Sequence, residues 1–171
     1  MALMETPPAE LGWQAVDFNL PGVDGKNYSL ANARGENGLL VMFICNHCPY
    51  VQRVLDKIIE TAAELKKQGI GVIGISANDV VAYPEDNFEN MKKLAAAKKF
   101  PFPYVIDETQ VTAKTYDAVC TPDFFGFDKN MKLQYRGRVD ELLAAMIEVA
   151  KTGKVSAKQY NSMGCNMKWA A

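Results

Sequence analysis

The stretch Leu39-Leu-Val-Met-Phe-Ile-Cys-Asn-His-Cys48 decides the fold of this chain. Its first six residues are uniformly apolar, which is typical of a β-strand covered on both faces in a parallel or mixed sheet. Two cysteines follow directly, separated by Asn46 and His47. From Val51 onward, apolar residues recur at the spacing of an amphipathic helix, and this pattern ends at Gly69. The stretch therefore predicts a strand, a C-x-x-C loop and a helix, in that order.

The flanking segments predict the rest of an α/β architecture. Residues 16–30 alternate in polarity around Asp24-Gly25, which is a strong hairpin signal. In chain order the later elements are a buried strand at 70–75, a helix of about 85–99 with Pro84 at its first position, a strand at 104–106, a helix from Asp107 to about Val119, a hairpin of 123–127 with 132–136, and a helix capped by Asp140. We therefore expect a central mixed sheet with helices on both faces and an N-terminal β-hairpin extension. Active sites of such sheets lie at the carboxyl ends of strands, which is where Cys45 falls.

The chain predicts one domain with two extra ends. A length of 171 residues with 49% hydrophobic residues fits a single globular domain. Residues 1–11 lack periodicity and carry Pro7-Pro8, so we expect a flexible arm there. The domain itself covers residues 12–153, and residues 154–171 form a C-terminal tail packed on it.

Composition excludes several classes of function. The 19 Lys and Arg residues against 20 Asp and Glu leave a formal charge of -1, so we expect no nucleic-acid partner and no anionic membrane surface as partner. The longest apolar run, residues 39–45, is far shorter than a membrane span. The first residues carry no basic segment that leads into an apolar one, as a secretory signal would. We therefore expect a cytoplasmic protein.

The four cysteines are too few and too unevenly spaced for a disulfide scaffold, and two of them form the C-x-x-C. A C-x-x-C between a strand and a helix places its first sulfur beside unpaired backbone N–H groups and the positive end of the helix dipole, which favours the reactive thiolate. His47, the only histidine, adds positive charge or a hydrogen bond. Because stabilising the reduced thiolate makes a disulfide a stronger oxidant, His47 biases the pair in that direction.

Taken together, these motifs resemble a known family. Strand, C-N-H-C and helix, followed much later by Cys120-Thr121-Pro122, look like the thioredoxin fold, in which a loop with a cis-proline packs against the C-x-x-C. The segments A-V-D-F-N-L-P-G-V-D-G at 15–25 and M-G-C-N-M-K-W at 163–169 are similar to those of a peroxiredoxin-like group (AhpC/TSA, TlpA-like) of thioredoxin-family proteins. The resemblance covers about residues 12–169.

The resemblance implies a thiol-disulfide oxidoreductase, or antioxidant protein, that works by dithiol-disulfide exchange. It implies Cys45 as the attacking thiol, Cys48 as the resolving thiol and Pro122 as the cis-proline, with Asn46 and Thr121 as substrate-binding residues. It implies no cofactor and no resident metal. The expected partners are a protein or small-molecule disulfide or thiol, or a peroxide, and the protein would be a monomer or a homodimer.

Two other functions remain open from the sequence. One is a thiol peroxidase with Cys48 or Cys45 as the peroxidatic cysteine. Peroxiredoxins have Thr or Ser three residues before that cysteine, and here the position is Cys45 if Cys48 matches theirs. The other is a copper or zinc protein with Cys45, Cys48, His47 and Cys120 as ligands.

Several details stay open from the sequence. Cys120 is two residues before Pro122 and is a resolving thiol, a metal ligand or a buried space-filling residue. Cys165, in the tail, is expected to be a packed or spare thiol. The strand before the C-x-x-C lacks the buried acid of thioredoxins, so proton transfer falls to His47, to water, or to an acid from elsewhere such as Asp17 or Glu36.

Overall fold

The computed structural model describes residues 2–171, and the strands and helices below are those of this part of the chain. Its strands are β1 (Leu3–Glu5), β2 (Leu20–Pro21), β3 (Asn27–Tyr28), β4 (Gly38–Phe43), β5 (Ile70–Ser76), β6 (Tyr104–Ile106), β7 (Cys120–Thr121), β8 (Asp123–Phe127), β9 (Leu133–Arg136) and β10 (Met163–Asn166). Its helices are α1 (Leu30–Ala33), α2 (Pro49–Lys67), the 3-10 helix Pro84–Asp86, α3 (Phe88–Lys98), α4 (Val111–Thr115) and α5 (Val139–Thr152). Within residues 2–171, none of these helices combines the length and apolar character that crossing a membrane requires.

A five-stranded mixed sheet in the order β6-β5-β4-β8-β9 forms the centre of the protein. The strands β4, β5 and β6 run parallel, whereas β8 and β9 are antiparallel to their neighbours. Every residue of β4 is buried, because one face of the sheet packs under α2 and α5 and the other under the N-terminal segment and α4. This arrangement confirms the predicted α/β sheet, and the short pair β2–β3 confirms the N-terminal hairpin.

The helix α2 follows the C-x-x-C as predicted. Pro49 stands at its first position, where a missing N–H costs nothing, and Cys48 is the N-cap residue. The buried side chains recur at helical spacing along one face, which packs on the sheet. Lys66 and Lys67 in the last turn complement the negative end of the helix dipole.

The predicted helix of 85–99 is interrupted in the structure. Its first turn is the separate 3-10 helix Pro84–Asp86, and α3 begins only at Phe88. Asn87 separates the two because its side chain accepts the N–H of Asn90 and so caps α3. The break leaves Asp86 fully buried at the end of the short turn, facing the C-x-x-C loop.

Two further helix boundaries differ from the sequence prediction. Arg138, not Asp140, is the N-cap of α5, and Asp140 lies in the first turn, where it interacts favourably with the helix dipole. The region 107–119 holds only the five residues of α4, because left-handed backbone at Gln110, with φ of 66°, precedes the helix and left-handed backbone at Asp117, with φ of 56°, follows its C-cap. The hairpin of β8 and β9 is present as predicted.

The two chain ends form a second sheet in the order β1-β10-β7. The expectation of a flexible arm over 1–11 is therefore wrong for Leu3–Glu5, which pairs with β10. The three residues of β1 are exposed, so backbone hydrogen bonds hold the pairing. The strand has no buried face, and the sequence therefore shows no apolar pattern that predicts it. The tail packs on the domain through β10, whose pairing with β7 sets Cys165 opposite Thr121.

Candidate active site

The C-x-x-C lies at the carboxyl end of β4, as the sequence predicts. The strand ends at Phe43, Cys45 follows two residues later, and Cys48 precedes the first turn of α2. Both cysteines are buried, with 1% of Cys45 and none of Cys48 exposed. The reactive groups are therefore shielded from bulk solvent.

The cis-proline loop packs against both sulfurs. Because Phe43 pairs with Asp123 in the sheet, the residues just before Asp123 lie beside those just after Phe43. The Thr121–Pro122 peptide bond is cis, as predicted. Thr121 Oγ1 lies 3.5 Å from Cys45 Sγ, and the Thr121 carbonyl oxygen lies 3.4 Å from Cys48 Sγ. The predicted Pro122 loop is thus brought to the pair, and Thr121 makes the contacts.

The helix N-terminus is beside the second sulfur of the motif, whereas the sequence pattern predicts it beside the first. Cys48 is the N-cap residue of α2, and Cys45 stands three residues earlier. A hydrogen bond from the Cys45 thiol lowers the pKa of Cys48 to about 4 against the effect of burial, and hydrogen bonds from Cys165 and the Val51 N–H add to this. These hydrogen bonds favour the thiolate form of Cys48 in the reduced protein.

Cys45 has the opposite electrostatic environment. Its hydrogen bond to Cys48, its burial and the negative charge of Asp86 all raise the pKa of the Cys45 thiol. In the reduced pair these contacts favour the negative charge on Cys48 and the proton on Cys45.

A third cysteine, Cys165, lies beside the C-x-x-C pair, and the sequence did not predict this position. Cys165 Sγ lies 2.6 Å from Cys48 Sγ, although the two residues are 117 positions apart. The sequence treats Cys165 as a packed or spare thiol because no spacing rule links it to the motif. Its position follows from the β10–β7 register, which sets it opposite Thr121.

Asp86 supplies the buried acid that β4 lacks. Its carboxylate accepts the backbone N–H groups of Asn46 at 2.8 Å and His47 at 3.2 Å, and the side-chain amide of Asn78 at 3.0 Å. The loop of the C-x-x-C is thus held on a fully buried carboxylate. Neither acid named from the sequence is involved in these contacts.

The two named acids lie elsewhere in the fold. Asp17 accepts the N–H groups of Phe18 and Leu30, next to the N-terminal hairpin. Glu36 precedes β4 and packs near Gly69, at the opposite end of the sheet from Cys45. Neither is positioned to exchange a proton with the cysteine pair.

His47 lies on the carboxylate and at the edge of the surface. Its Nδ1 is 2.5 Å from Asp86 Oδ2, although the approach lacks the alignment of a hydrogen bond. Its ring stacks on Tyr83 with centroids 5.6 Å apart and planes 9° apart. His47 is therefore oriented by Asp86 and Tyr83 next to the Cys45 side of the pair.

Asn46, expected to bind substrate, uses its side chain within the protein. Its Nδ2 donates to the Glu85 carbonyl at 3.0 Å, and its Oδ1 accepts the Tyr104 hydroxyl at 2.8 Å. Gln52 donates to its backbone carbonyl at 3.1 Å. The residue thus fixes the loop between β4 and α2.

Cys120 is the thiol that the structure sets apart. Its Sγ lies 3.6 Å from the Pro122 carbonyl oxygen, and it is fully buried. Burial and the nearby Asp123 raise the pKa of the Cys120 thiol, so it stays neutral. These surroundings fit the space-filling interpretation better than the resolving one.

The predicted metal-ligand set is only partly brought together. Among the described residues, Cys45, His47 and Asp86 place their ligand atoms within 4.8 Å of one another. This group replaces Cys48 and Cys120 of the predicted set by a carboxylate that the sequence did not suggest. Cys48 instead faces Cys165, and Cys120 faces the Pro122 carbonyl.

Comparison with known proteins finds a family model and a thiol-disulfide oxidoreductase that match this chain. The model of the AhpC/TSA family matches residues 11–136. The thiol-disulfide oxidoreductase ResA of Halalkalibacterium halodurans is 24% identical over 146 residues, which cover 84% of this chain and 78% of the relative.

Solved structures agree with the fold. An uncharacterized conserved protein from Geobacillus kaustophilus has a TM-score of 0.95 at 39% identity, with 99% of this chain and 97% of that chain covered. The exposed lipoprotein thioredoxin of Streptococcus pneumoniae has a TM-score of 0.64 at 23% identity, with 78% and 99% covered. The thioredoxin-like fold predicted from the sequence is confirmed.

Proposed function

This chain belongs to the AhpC/TSA family, and on that premise we propose that it is a thiol-disulfide oxidoreductase that acts through Cys45 and Cys48. Its substrates are disulfides and thiols of proteins or small molecules. The observation that carries the proposal is the pair of sulfurs packed on the Thr121–Pro122 loop with the negative charge stabilised on one of them. The ResA relative, a thiol-disulfide oxidoreductase by name, supports the same reaction class.

The exchange runs through a mixed disulfide on Cys45. A substrate thiolate attacks Cys45 Sγ of the Cys45–Cys48 disulfide, the S–S bond breaks, and Cys48 leaves as a thiolate. A second substrate thiolate then attacks the substrate sulfur, which forms the substrate disulfide and releases Cys45. Two electrons pass from substrate to protein, and Cys45 takes up a proton. The reverse sequence reduces a substrate disulfide through the same intermediate.

The stabilised Cys48 thiolate sets the bias of this exchange. A thiol of low pKa leaves faster, and stabilising the reduced form makes the disulfide a stronger oxidant. The hydrogen bonds from Cys45, Cys165 and Val51 act in this direction. We expect a potential more oxidising than that of a pair without these contacts.

Asp86 and His47 serve the proton of Cys45 in this proposal. A side-chain nitrogen of His47 and a carboxylate oxygen of Asp86 lie within 4.8 Å of Cys45 Sγ, and Asp86 is the buried acid of this side of the pair. His47, partly exposed, passes the proton to solvent, and Asp86 holds His47 and the loop in place. The predicted cytoplasmic location stays a prediction.

A trapping experiment tests the proposal. The Cys48→Ser variant, treated with oxidised glutathione, should accumulate a glutathione adduct on Cys45 that intact mass and peptide mapping identify. Wild-type protein should oxidise a reduced dithiol peptide, and the Cys120→Ser variant should do so at the same rate. Full turnover by Cys45→Ser and Cys48→Ser would refute the proposal.

A thiol peroxidase is the second candidate, favoured by the Cys48 thiolate at a helix N-terminus. In that reaction Cys48 attacks a peroxide oxygen, becomes a sulfenic acid and releases water or an alcohol. A neighbouring thiol then condenses with it, forming a disulfide and water. Dimedone labelling of Cys48 after one equivalent of peroxide, in a variant lacking both neighbouring thiols, would support this activity. Absence of the label would refute the peroxidase activity and leave thiol-disulfide exchange as the proposed function.

A further inference from the structure

Cys48 has two thiol neighbours, and only one of them belongs to the C-x-x-C. Cys45 reaches it from the loop after β4, and Cys165 reaches it from the C-terminal strand β10. The 2.6 Å between Cys48 Sγ and Cys165 Sγ is about half an ångström more than a disulfide bond. No large movement is needed for the two sulfurs to bond.

Cys165 is held in this position by both chain ends. The strand β10 lies between β7 and β1, and it pairs Cys165 with Thr121 on one side and with Leu3 on the other. Thr121 also contacts Cys45 and Cys48. The backbone that positions the C-x-x-C therefore positions the third sulfur as well.

We propose that Cys165 is a third redox thiol, which bonds to Cys48 in alternation with Cys45. In the internal step, the Cys165 thiolate attacks Cys48 Sγ of the Cys45–Cys48 disulfide. The Cys48–Cys165 bond forms, the Cys45–Cys48 bond breaks, and Cys45 leaves as a thiolate that takes up the proton Cys165 has lost. The step transfers no net electrons and needs no further reagent.

The electrostatics of Cys165 support this order of events. Burial and the neighbouring Cys48 raise the pKa of Cys165 to about 11, while the Tyr50 N–H and Lys168 act in the opposite direction. When Cys48 is part of a disulfide it carries no charge, so Cys48 no longer raises the pKa of Cys165. Cys165 is then a stronger acid and a better attacking group than in the reduced protein.

The inference rests on the proposed function and adds a consequence for it. The Cys48–Cys165 disulfide frees Cys45 as a thiol while the protein keeps its oxidising equivalents. It also ties the start of α2 to the C-terminal strand, so the redox state is coupled to the packing of both chain ends.

Disulfide mapping in variants that each replace one cysteine tests the proposal. Cys45→Ser is treated with oxidised glutathione, quenched with acid, alkylated and digested with trypsin. Cys48 then lies in the peptide 35–53 and Cys165 in the peptide 159–168. Cys48 should attack the disulfide of oxidised glutathione and release one glutathione thiol, and Cys165 should then attack the mixed disulfide, which joins the two peptides and releases the second glutathione thiol. Cys120→Ser is the matched control with another buried cysteine removed, and it should map like wild type.

Each result decides a separate point. The joined peptides in Cys45→Ser support the third thiol, as does a share of them in oxidised wild type in which fragmentation places the alkyl group of peptide 35–53 on Cys45. A glutathione adduct that persists on Cys48 with Cys165 fully alkylated overturns it. If Cys45→Ser does not fold, oxidised wild type decides instead, and full alkylation of Cys165 there overturns the third thiol equally.

The same variants separate this inference from the proposed function. Exchange activity in Cys165→Ser reports on the proposed function independently, because that variant keeps Cys45 and Cys48. Loss of exchange in wild type with the joined peptides present would refute the function and leave the third thiol standing.

Discussion

The two cysteines of the motif differ in what surrounds them. Cys45 follows a strand into a loop that rests on the buried carboxylate of Asp86, and its pKa is raised. Cys48 caps a helix and receives hydrogen bonds from two thiols and a backbone N–H, and its pKa is lowered to about 4. Identical side chains three positions apart thus differ in the direction of their pKa shifts, first because they share a hydrogen bond, and then because Asp86 faces Cys45 whereas Cys165 and the Val51 N–H face Cys48.

The largest expected effect on exchange activity comes from removing the thiol of Cys48, the cysteine at the start of α2. Cys48→Ser leaves Cys45 and Cys165 without their shared partner, so exchange should fall by about three orders of magnitude or more. A rate assay with a reduced dithiol peptide measures it. Retention of more than about a tenth of wild-type turnover would mean that Cys48 is not the shared sulfur.

The pH dependence of the thiolate distinguishes the two sulfurs directly. Because the pKa of Cys48 is lowered to about 4, reduced protein should show one thiolate by ultraviolet absorbance above that pH, and lose it as the pH falls through 4. Cys48→Ser should lack this thiolate between pH 4 and neutrality, whereas Cys120→Ser should retain it. A thiolate that disappears in Cys45→Ser and survives in Cys48→Ser would reverse the comparison.

Replacing the carboxylate of Asp86 should change the pKa of Cys45, the cysteine that follows strand β4. Asp86→Asn keeps an acceptor for the loop N–H groups and removes the charge that helps to raise the pKa of Cys45, so that pKa should fall. The same absorbance titration, run in the Cys48→Ser background, isolates Cys45. Asp86→Ala also leaves the Asn46 and His47 N–H groups without their acceptor and should cost about 2–4 kcal/mol of unfolding free energy. An unchanged Cys45 titration in Asp86→Asn would mean that Asp86 does not set the protonation of Cys45.

A smaller change is expected at the edge of the site. His47→Asn removes the ring between Asp86 and Tyr83 and should make the Cys45–Cys48 pair less oxidising by on the order of 30 mV, a tenfold change in the exchange equilibrium constant. Redox titration against glutathione measures the potential, and a shift toward a more oxidising value would contradict the role of His47. Tyr83→Phe, which keeps the stacked ring, should leave the potential as in wild type.

The smallest effect on chemistry is expected at Cys120. Cys120→Ala removes a buried thiol that contacts the Pro122 carbonyl, so it should lower the unfolding free energy by about 1 kcal/mol and leave the exchange rate unchanged. Thermal unfolding and the peptide assay together measure both. A loss of exchange in a folded Cys120→Ala protein would restore the resolving role that the sequence left open.

The parts of the fold that depend on local pattern could be predicted from sequence. The apolar run of β4, the amphipathic spacing of α2 and the loop with the cis Pro122 are all present, and they fix the place of Cys45 and Cys48. Long-range pairing could not be predicted in the same way. Cys165 reaches Cys48 only through a short strand with no apolar alternation, and Asp86 is delivered by a break at Asn87 within what the pattern indicates as one helix. The contacts that lower the pKa of Cys48 come from Cys45, Cys165 and the Val51 N–H, and the one from Cys165 depends on this long-range pairing.

The most direct test is a redox titration of wild-type protein with mass mapping of its disulfides at each potential. We expect every intramolecular disulfide to contain Cys48, joined to Cys45 or to Cys165. Cys120 should remain a free thiol at every potential and therefore be recovered in its alkylated form. An oxidised protein in which Cys48 remains a free thiol, or in which Cys45 is bridged to Cys120, would contradict the central role of Cys48.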